Sequence, residues 1–261
     1  MVATNLLKSA QSYSEEVLKT LPHDFSYHNL QHTHEVVEAA TLIGEKEGLT
    51  ELELEDVQLA AWFHDLGYNT DPDNHEEESI KLMHKKFSEW GIDDERIDRI
   101  AAMIRSTKMP QTPKNKLSEI LCDADLYHLS TDSFAIKSES LRDEICKLCD
   151  KDLPQDEWIN KTLSFIDEHI YFSEYGKQVL EPKKQENIKL VKKKLKKKQK
   201  SDEKLEAQIA KLEEKLAKAK IQKPDRGIET MFRITSKNHL QLSAMADNKA
   251  NIMISINSCL L

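Results

Sequence analysis

Between Asn5 and Ile170 the chain repeats apolar residues at the spacing of one helix face, segment after segment. It has little of the glycine and proline that a sheet-rich fold needs at its turns: six glycines and seven prolines in 261 residues. Asn5–Thr20, Leu30–Glu47, Glu51–Leu66, Glu76–Trp90, Asp94–Ser106, Lys116–Leu129, Ser133–Asp150 and Gln155–Ile170 each read as a helix. Local signals separate them: Pro22, Gly48, the polar run Asn69–Asn74, Pro110 with Pro113, and Pro154. Nothing reads as a strand. The prediction is an all-α helical bundle over residues 1–182.

The composition then changes. Residues 183–223 are almost entirely Lys, Glu, Gln, Ala and Leu or Ile. Ile188, Val191, Leu195, Leu205, Ile209, Leu212 and Leu216 keep one 3-4 phase, interrupted at Lys198 and Asp202. That pattern predicts a long helix with a coiled-coil seam, and hence a homo-oligomer; a solvated single helix held by Glu–Lys pairs is the other reading. Pro224 and Gly227 end it. Over residues 224–261 apolarity rises toward the last residue. The final apolar run is shorter than the ~20 residues of a spanning helix. It reads as the truncated start of a membrane-associated segment, or as a C-terminal helix that docks on the core or on a partner. In the first case the lysines upstream place the bundle on the cytoplasmic side of a membrane.

Charge narrows the partners. The net charge is −8 despite the basic stretch, so the bundle itself is acidic and repels a nucleic-acid backbone. No stable nucleic-acid binding is expected; a small phosphorylated ligand held in a local positive pocket fits better. Met1–Ser14 lacks the basic start and apolar core of a signal peptide. Four cysteines (Cys122, Cys146, Cys149 and Cys259) suit a reducing compartment. Cys146 and Cys149 have CxxC spacing but no second pair, so they read as two small buried residues one turn apart.

The chemistry-bearing residues are scattered: His28 and His32, the adjacent pair His64-Asp65, and Asp123 with Asp125. Two imidazoles and two carboxylates from separate helices can close around one divalent cation. A mixed N/O donor set suits octahedral Mn, Fe, Co, Ni or Mg better than a closed structural zinc site. Open coordination positions would take water and a phosphoryl oxygen, which predicts a metal-dependent hydrolase of phosphate esters.

The ordered set Tyr27-His28-Asn29-Leu30-Gln31-His32, Trp62-Phe63-His64-Asp65-Leu66-Gly67-Tyr68, Asn74-His75-Glu76-Glu77-Glu78-Ser79, Ile104-Arg105-Ser106-Thr107-Lys108 and Asp123-Ala124-Asp125-Leu126 resembles the HD superfamily of metal-dependent phosphohydrolases. The similarity extends through His169-Ile170-Tyr171 to Glu186-Asn187-Ile188. The resemblance implies an all-α fold with metal ligands at His32, His64, Asp65 and Asp125, Asp123 being the second choice for the last. It implies a catalytic set of His28 as proton donor, Asp65, and Glu78 beside the metal waters. Arg105 and Lys108, with Lys114, are candidates to meet a substrate phosphate or are ordinary surface charge, and His75 is a supporting group or a loop residue. The chain departs from the pattern at Met109-Pro110-Gln111-Thr112-Pro113, where relatives often carry a histidine; a second metal and some substrate contacts are therefore not implied.

A second resemblance lies in Arg233–Ile252, which reads Arg-Ile-Thr-Ser-Lys-Asn-His-Leu-Gln-Leu-Ser-Ala-Met-Ala-Asp-Asn-Lys-Ala-Asn-Ile. This is similar to the start of the membrane domain of Pycsar-type antiphage effectors. It implies a membrane-attached effector that answers a nucleotide signal. Three expectations follow: a phosphohydrolase acting on a nucleotide or other phosphate ester, a nucleotide sensor with little or no turnover, or an assembly module in which the coil matters most.

Overall fold

The computed structural model describes residues 4–150, 152–221 and 234–246, and among these no strand occurs. In chain order the helices are α1 Asn5–Leu18, α2 Leu30–Lys46, α3 Glu51–Phe63, α4 His75–Glu89, α5 Asp94–Ser106, α6 Lys116–Asp125, α7 Phe134–Cys149, α8 Gln155–Glu168 and α9 Glu181–Ile221. Residues 234–246 are also helical. The all-α expectation is met.

Short polar residues set the helix starts. Asn29 caps α2, its side-chain oxygen accepting from the amides of Gln31 and His32 at 3.0 and 3.2 Å. The same hydrogen bonds fix His32 in the first turn. Thr50 and Glu53 form a capping box on α3, while Asp93 and Asn115 cap α5 and α6. Asp150, in the left-handed region at φ 47°, ends α7.

Helix α3 is the centre of the bundle. Leu54, Val57, Leu59, Ala60, Ala61, Trp62 and Phe63 are all buried, so the helix is apolar nearly all round. It packs against α1, α2, α5 and α6. Phe63 sits among Tyr13, Phe87 and Trp90, with ring centroids 5.7, 5.0 and 6.3 Å away. One charge enters this core: Asp56, 1 % exposed, accepts from Arg96 Nε at 2.6 Å and Arg99 Nε at 2.9 Å. That bridge clamps α3 to α5.

Two helices are shorter than their sequence pattern. α3 stops at Phe63 and tightens into a 3-10 turn, Leu66–Asn69; α6 stops at Asp125, before the 3-10 turn Tyr127–Ser130. At the first break Gly67 lies against the start of α4. A Cβ there would stand 2.0 Å from the His75 carbonyl oxygen and 2.7 Å from the Ser79 amide. Only glycine permits this approach, and the Gly67 amide donates to Ser79 Oγ at 2.8 Å. His64 and Asp65 thus sit in a bend rather than in a helix body.

The chain divides into two compact units, Met1–Lys189 and Leu190–Leu261. In the second, the apolar positions Val191, Leu195, Leu205, Ile209 and Leu212 of α9 are half-buried and in phase. Among the described residues no helix is long and apolar enough to cross a membrane. The expectations for residues 224–233 and for the apolar run from 247 to 261 lie outside the described residues.

Candidate metal centre

Three breaks in the bundle converge. His32 comes from the first turn of α2, His64 and Asp65 from the bend after α3, and Asp125 from the last residue of α6. His32 Nε2 lies 3.4 Å from Asp65 Oδ2 and 3.3 Å from Asp125 Oδ1. His64 Nε2 lies 3.1 and 3.6 Å from the same two oxygens. Ligand atoms of His32, His64 and Asp125 all lie within 4.8 Å of one another. With metal–ligand bonds of roughly 2.0–2.2 Å, neighbouring donors stand about 3 Å apart, which is the spacing found.

The donor atoms are also otherwise unsatisfied. His32 Nε2, His64 Nε2 and Asp65 Oδ2 are buried without a hydrogen-bond partner. One such atom costs about 1–3 kcal/mol; three facing a common point mark a place for a cation. His64 Nδ1 is turned away and bonds the Ala61 carbonyl at 2.8 Å, which fixes the tautomer with the Nε2 lone pair facing the cluster. The residues present fit a divalent metal.

Without a cation, protons do this work. Burial alone would lower both histidines, but the facing carboxylates raise His32, and raise His64 well above its ordinary value. Burial alone would raise the two aspartates, but the imidazoles hold Asp65 and Asp125 well below the usual carboxylate range. The histidines therefore stabilise the metal-free fold fully below their unfolded value, and that contribution is lost as pH rises through their raised values. The aspartates contribute above their unfolded values and lose it on strong acidification. A metal must displace the imidazole protons. Metal affinity is thus expected to strengthen from pH 6 to pH 8 with net proton release, measured by calorimetric titration of Mn²⁺ in buffers of different ionisation enthalpy. A pH-independent affinity would contradict this.

Around the cluster lies a second ring of groups. The carboxylate of Glu144, from α7, accepts from the backbone amides of Tyr27 and His28 at 2.7 and 2.9 Å and bonds His28 Nδ1. His28 Nε2 faces the Tyr68 hydroxyl at 3.0 Å, and the two rings stack at 4.1 Å. The His28 ring centroid is 5.9 Å from that of His32. Burial pushes the Tyr68 hydroxyl far up, so it stays protonated. The Tyr27 ring lies 4.8 Å from His32, and its hydroxyl meets His128 Nδ1 at 3.2 Å. Burial and the neighbouring His32 lower His128 to about 3, so this imidazole is neutral. Tyr27, Tyr68, His128 and Glu144 were not expected from the sequence.

Several expected residues stand elsewhere. The carboxylate of Asp123 accepts from the amides of Phe172 and Ser173 at 2.8 and 2.9 Å and from Ser173 Oγ at 2.6 Å. Burial raises it to about 6, its hydrogen bonds pulling the other way. It anchors the segment leading to α9 against Gly176, whose missing Cβ leaves it room; Asp125, the first choice, is the one in the cluster. Glu78 pairs with Lys81 at 2.6 Å rather than reaching the cluster. Glu76 is the buried carboxylate at that helix start, 3.4 Å from His75 Nε2, which in turn lies 3.8 Å from Asp65 Oδ1. Arg105 is held by Glu77 at 2.6 and 3.0 Å, and Lys108 bonds Asn74 at 3.3 Å. Both cations already have partners, so neither stands ready for a phosphate without rearranging.

Comparison with known proteins agrees with this geometry. Residues 29–130 match the family model of the HD domain. A predicted HD superfamily hydrolase from an uncultured Thermotogales bacterium has a similar structure, with a TM-score of 0.51 and 20% identity; the match covers 73% of this chain and 92% of that one. YpgQ of Bacillus subtilis, solved in complex with ADP, aligns with a TM-score of 0.54 and 21% identity over 73% of this chain and 94% of its own. No curated protein matches the chain. Residues 29–130 thus resemble an HD domain, and the two solved structures share the fold of this helical unit.

Proposed function

We propose that the chain is a metal-dependent phosphohydrolase that acts on a nucleotide or another small phosphate ester. The observation that carries this is the convergence of His32, His64, Asp65 and Asp125, with three buried donor atoms left without hydrogen bonds. A divalent ion bound there supplies Lewis acidity toward a phosphoryl oxygen and acidifies a water. The chain's own residues supply the proton. The Glu144 carboxylate bonds His28 Nδ1 and fixes the ring, so Nε2 is the end that gives a proton to a leaving oxygen. Tyr68 orients that end and keeps its own proton. Nucleotides are the first substrates to test, since the B. subtilis neighbour was solved with ADP.

The test is phosphate release from a panel of nucleotides and p-nitrophenyl phosphate by the Mn²⁺-loaded protein. His28→Ala should lower kcat by about 10²–10⁴-fold, the usual span of general acid–base catalysis, with metal content unchanged. Glu144→Gln should lower kcat less, because an amide holds the His28 ring in place more weakly than a carboxylate does. Equal activity of both variants and wild type would remove the proton-donor assignment.

The second reading is a nucleotide sensor controlling a membrane effector. Its support is the sequence resemblance of Arg233–Ile252 and the proline loop that replaces a family histidine. Tight nucleotide binding without product would favour it over turnover. Under either reading the in-phase apolar positions of α9 support self-association. Light scattering should then give a multiple of the chain mass that falls to the monomer when residues 183–220 are deleted. An unchanged mass would leave the coil a solvated helix.

A further inference from the structure

A cavity of about 340 Å³ opens beside the metal centre. It shares two residues with the cluster, His32 and Asp125, and runs along α2 toward the turn before α7. We propose that this cavity holds the nucleoside part of a nucleoside monophosphate, with the phosphate lying at the His–Asp cluster. The inference rests on the phosphohydrolase reading and narrows its substrate.

Three observations carry it. The first is size: small-ligand sites begin at about 300 Å³, enough for one base and sugar but small for a larger ligand. The second is charge. The wall carries Glu35 and Glu38 beside Asp125, and its lining includes no lysine or arginine. Of these carboxylates, Glu35 is paired with Lys137 at 2.6 Å. A chain of further phosphates would meet carboxylates here, whereas sugar hydroxyls and base amino groups would find acceptors. An acidic side chain that takes ribose hydroxyls is a recurrent arrangement in nucleotide sites. Glu38 makes no ion pair among the described residues, which leaves its carboxylate to accept.

The third is the division of the walls. Val36, Ala39, Leu42 and Ala124 give an apolar side for a base, while Thr131 and Ser133 bring hydroxyls that bond each other at 2.8 Å. Because His32 and Asp125 belong to both the cluster and the cavity, a phosphate at the cluster would carry its substituent next to the cavity. The substrate so defined is a neutral, hydroxyl-bearing nucleoside joined to one phosphate.

The experiment compares kcat/KM for adenosine 5′-monophosphate with kcat/KM for p-nitrophenyl phosphate, using the full chain with Mn²⁺. Ala39→Leu fills the cavity and should lower the ratio of the two at least tenfold. Should that variant fail to fold, the exposed change Glu38→Gln decides, with an expected fall in the ratio of about threefold or more. A ratio that stays at the wild-type value in a folded, metal-loaded variant overturns the proposal. So does a wild-type protein that hydrolyses p-nitrophenyl phosphate but neither hydrolyses the nucleotide nor binds adenosine in a calorimetric titration; that outcome leaves the phosphohydrolase reading in place. A metal-loaded wild type that hydrolyses neither ester removes the functional reading, and this inference with it.

Discussion

His64→Ala combined with Asp65→Ala is expected to abolish metal binding and to lower turnover by at least about 10³-fold, with helix content retained. These residues supply two of the four donors and sit in the bend after α3, not in a helix body. Alanine there interrupts no helix. What remains is His32 Nε2 and Asp125 Oδ1, 3.3 Å apart. Two donors hold a divalent ion poorly against water, which offers six. Lewis-acid stabilisation of a phosphoryl transition state is worth several kcal/mol, and each 1.36 kcal/mol is a factor of ten. Metal content by atomic emission, circular dichroism and phosphate release on the same sample check all three parts. Retained metal in the double variant would place the ion elsewhere.

Asp56→Ala should produce the largest loss of stability among single polar substitutions. Asp56 lies on the central helix at 1 % exposure, with two guanidinium groups on its two oxygens. Breaking a buried pair costs about 3–5 kcal/mol when the remaining charge stays buried. Here Arg96 and Arg99 reach partly into solvent, their side chains being 15 % and 37 % exposed, so the expected loss is near the lower end, about 3 kcal/mol. For a unit of this size that is a fall in Tm of roughly 6–12 °C. Differential scanning calorimetry of the metal-free protein isolates the effect from ligand binding. A shift of a degree or less would mean that α3 and α5 are held by their apolar faces alone.

The fold was legible because each helix carries its own punctuation. Gly48, Pro22 and Pro154, and the run Asn69–Asn74, are breaks that act within a few residues. The two helices read too long, α3 and α6, end for reasons that lie far along the chain. Leu66 continues the apolar phase of α3, yet contact between Gly67 and α4 bends the backbone there. Leu126 and Leu129 continue α6, yet the Leu126 carbonyl is taken by the Tyr171 hydroxyl at 3.0 Å. Local periodicity carries no trace of either partner.

The site divides the same way. The histidine and aspartate donors were visible from residue type and resemblance. The choice between Asp123 and Asp125 depends on Phe172 and Ser173, which draw Asp123 away from the cluster. Three consecutive glutamates begin α4, and only the helix phase decides that Glu76 faces inward while Glu77 and Glu78 meet Arg105 and Lys81. Tyr27 and Tyr68 adjoin the histidine motifs, and an aromatic next to a ligand is a signal the sequence does contain. Glu144 gave none: it reaches His28 across 116 positions of chain.

Anomalous diffraction from a crystal of the protein soaked in Mn²⁺ tests the central claim most directly. The expected result is one strong peak within about 2.3 Å of His32 Nε2, His64 Nε2 and a carboxylate oxygen from each of Asp65 and Asp125. A fully soaked crystal with no peak among these four side chains, or with its strongest peak elsewhere, would contradict the account.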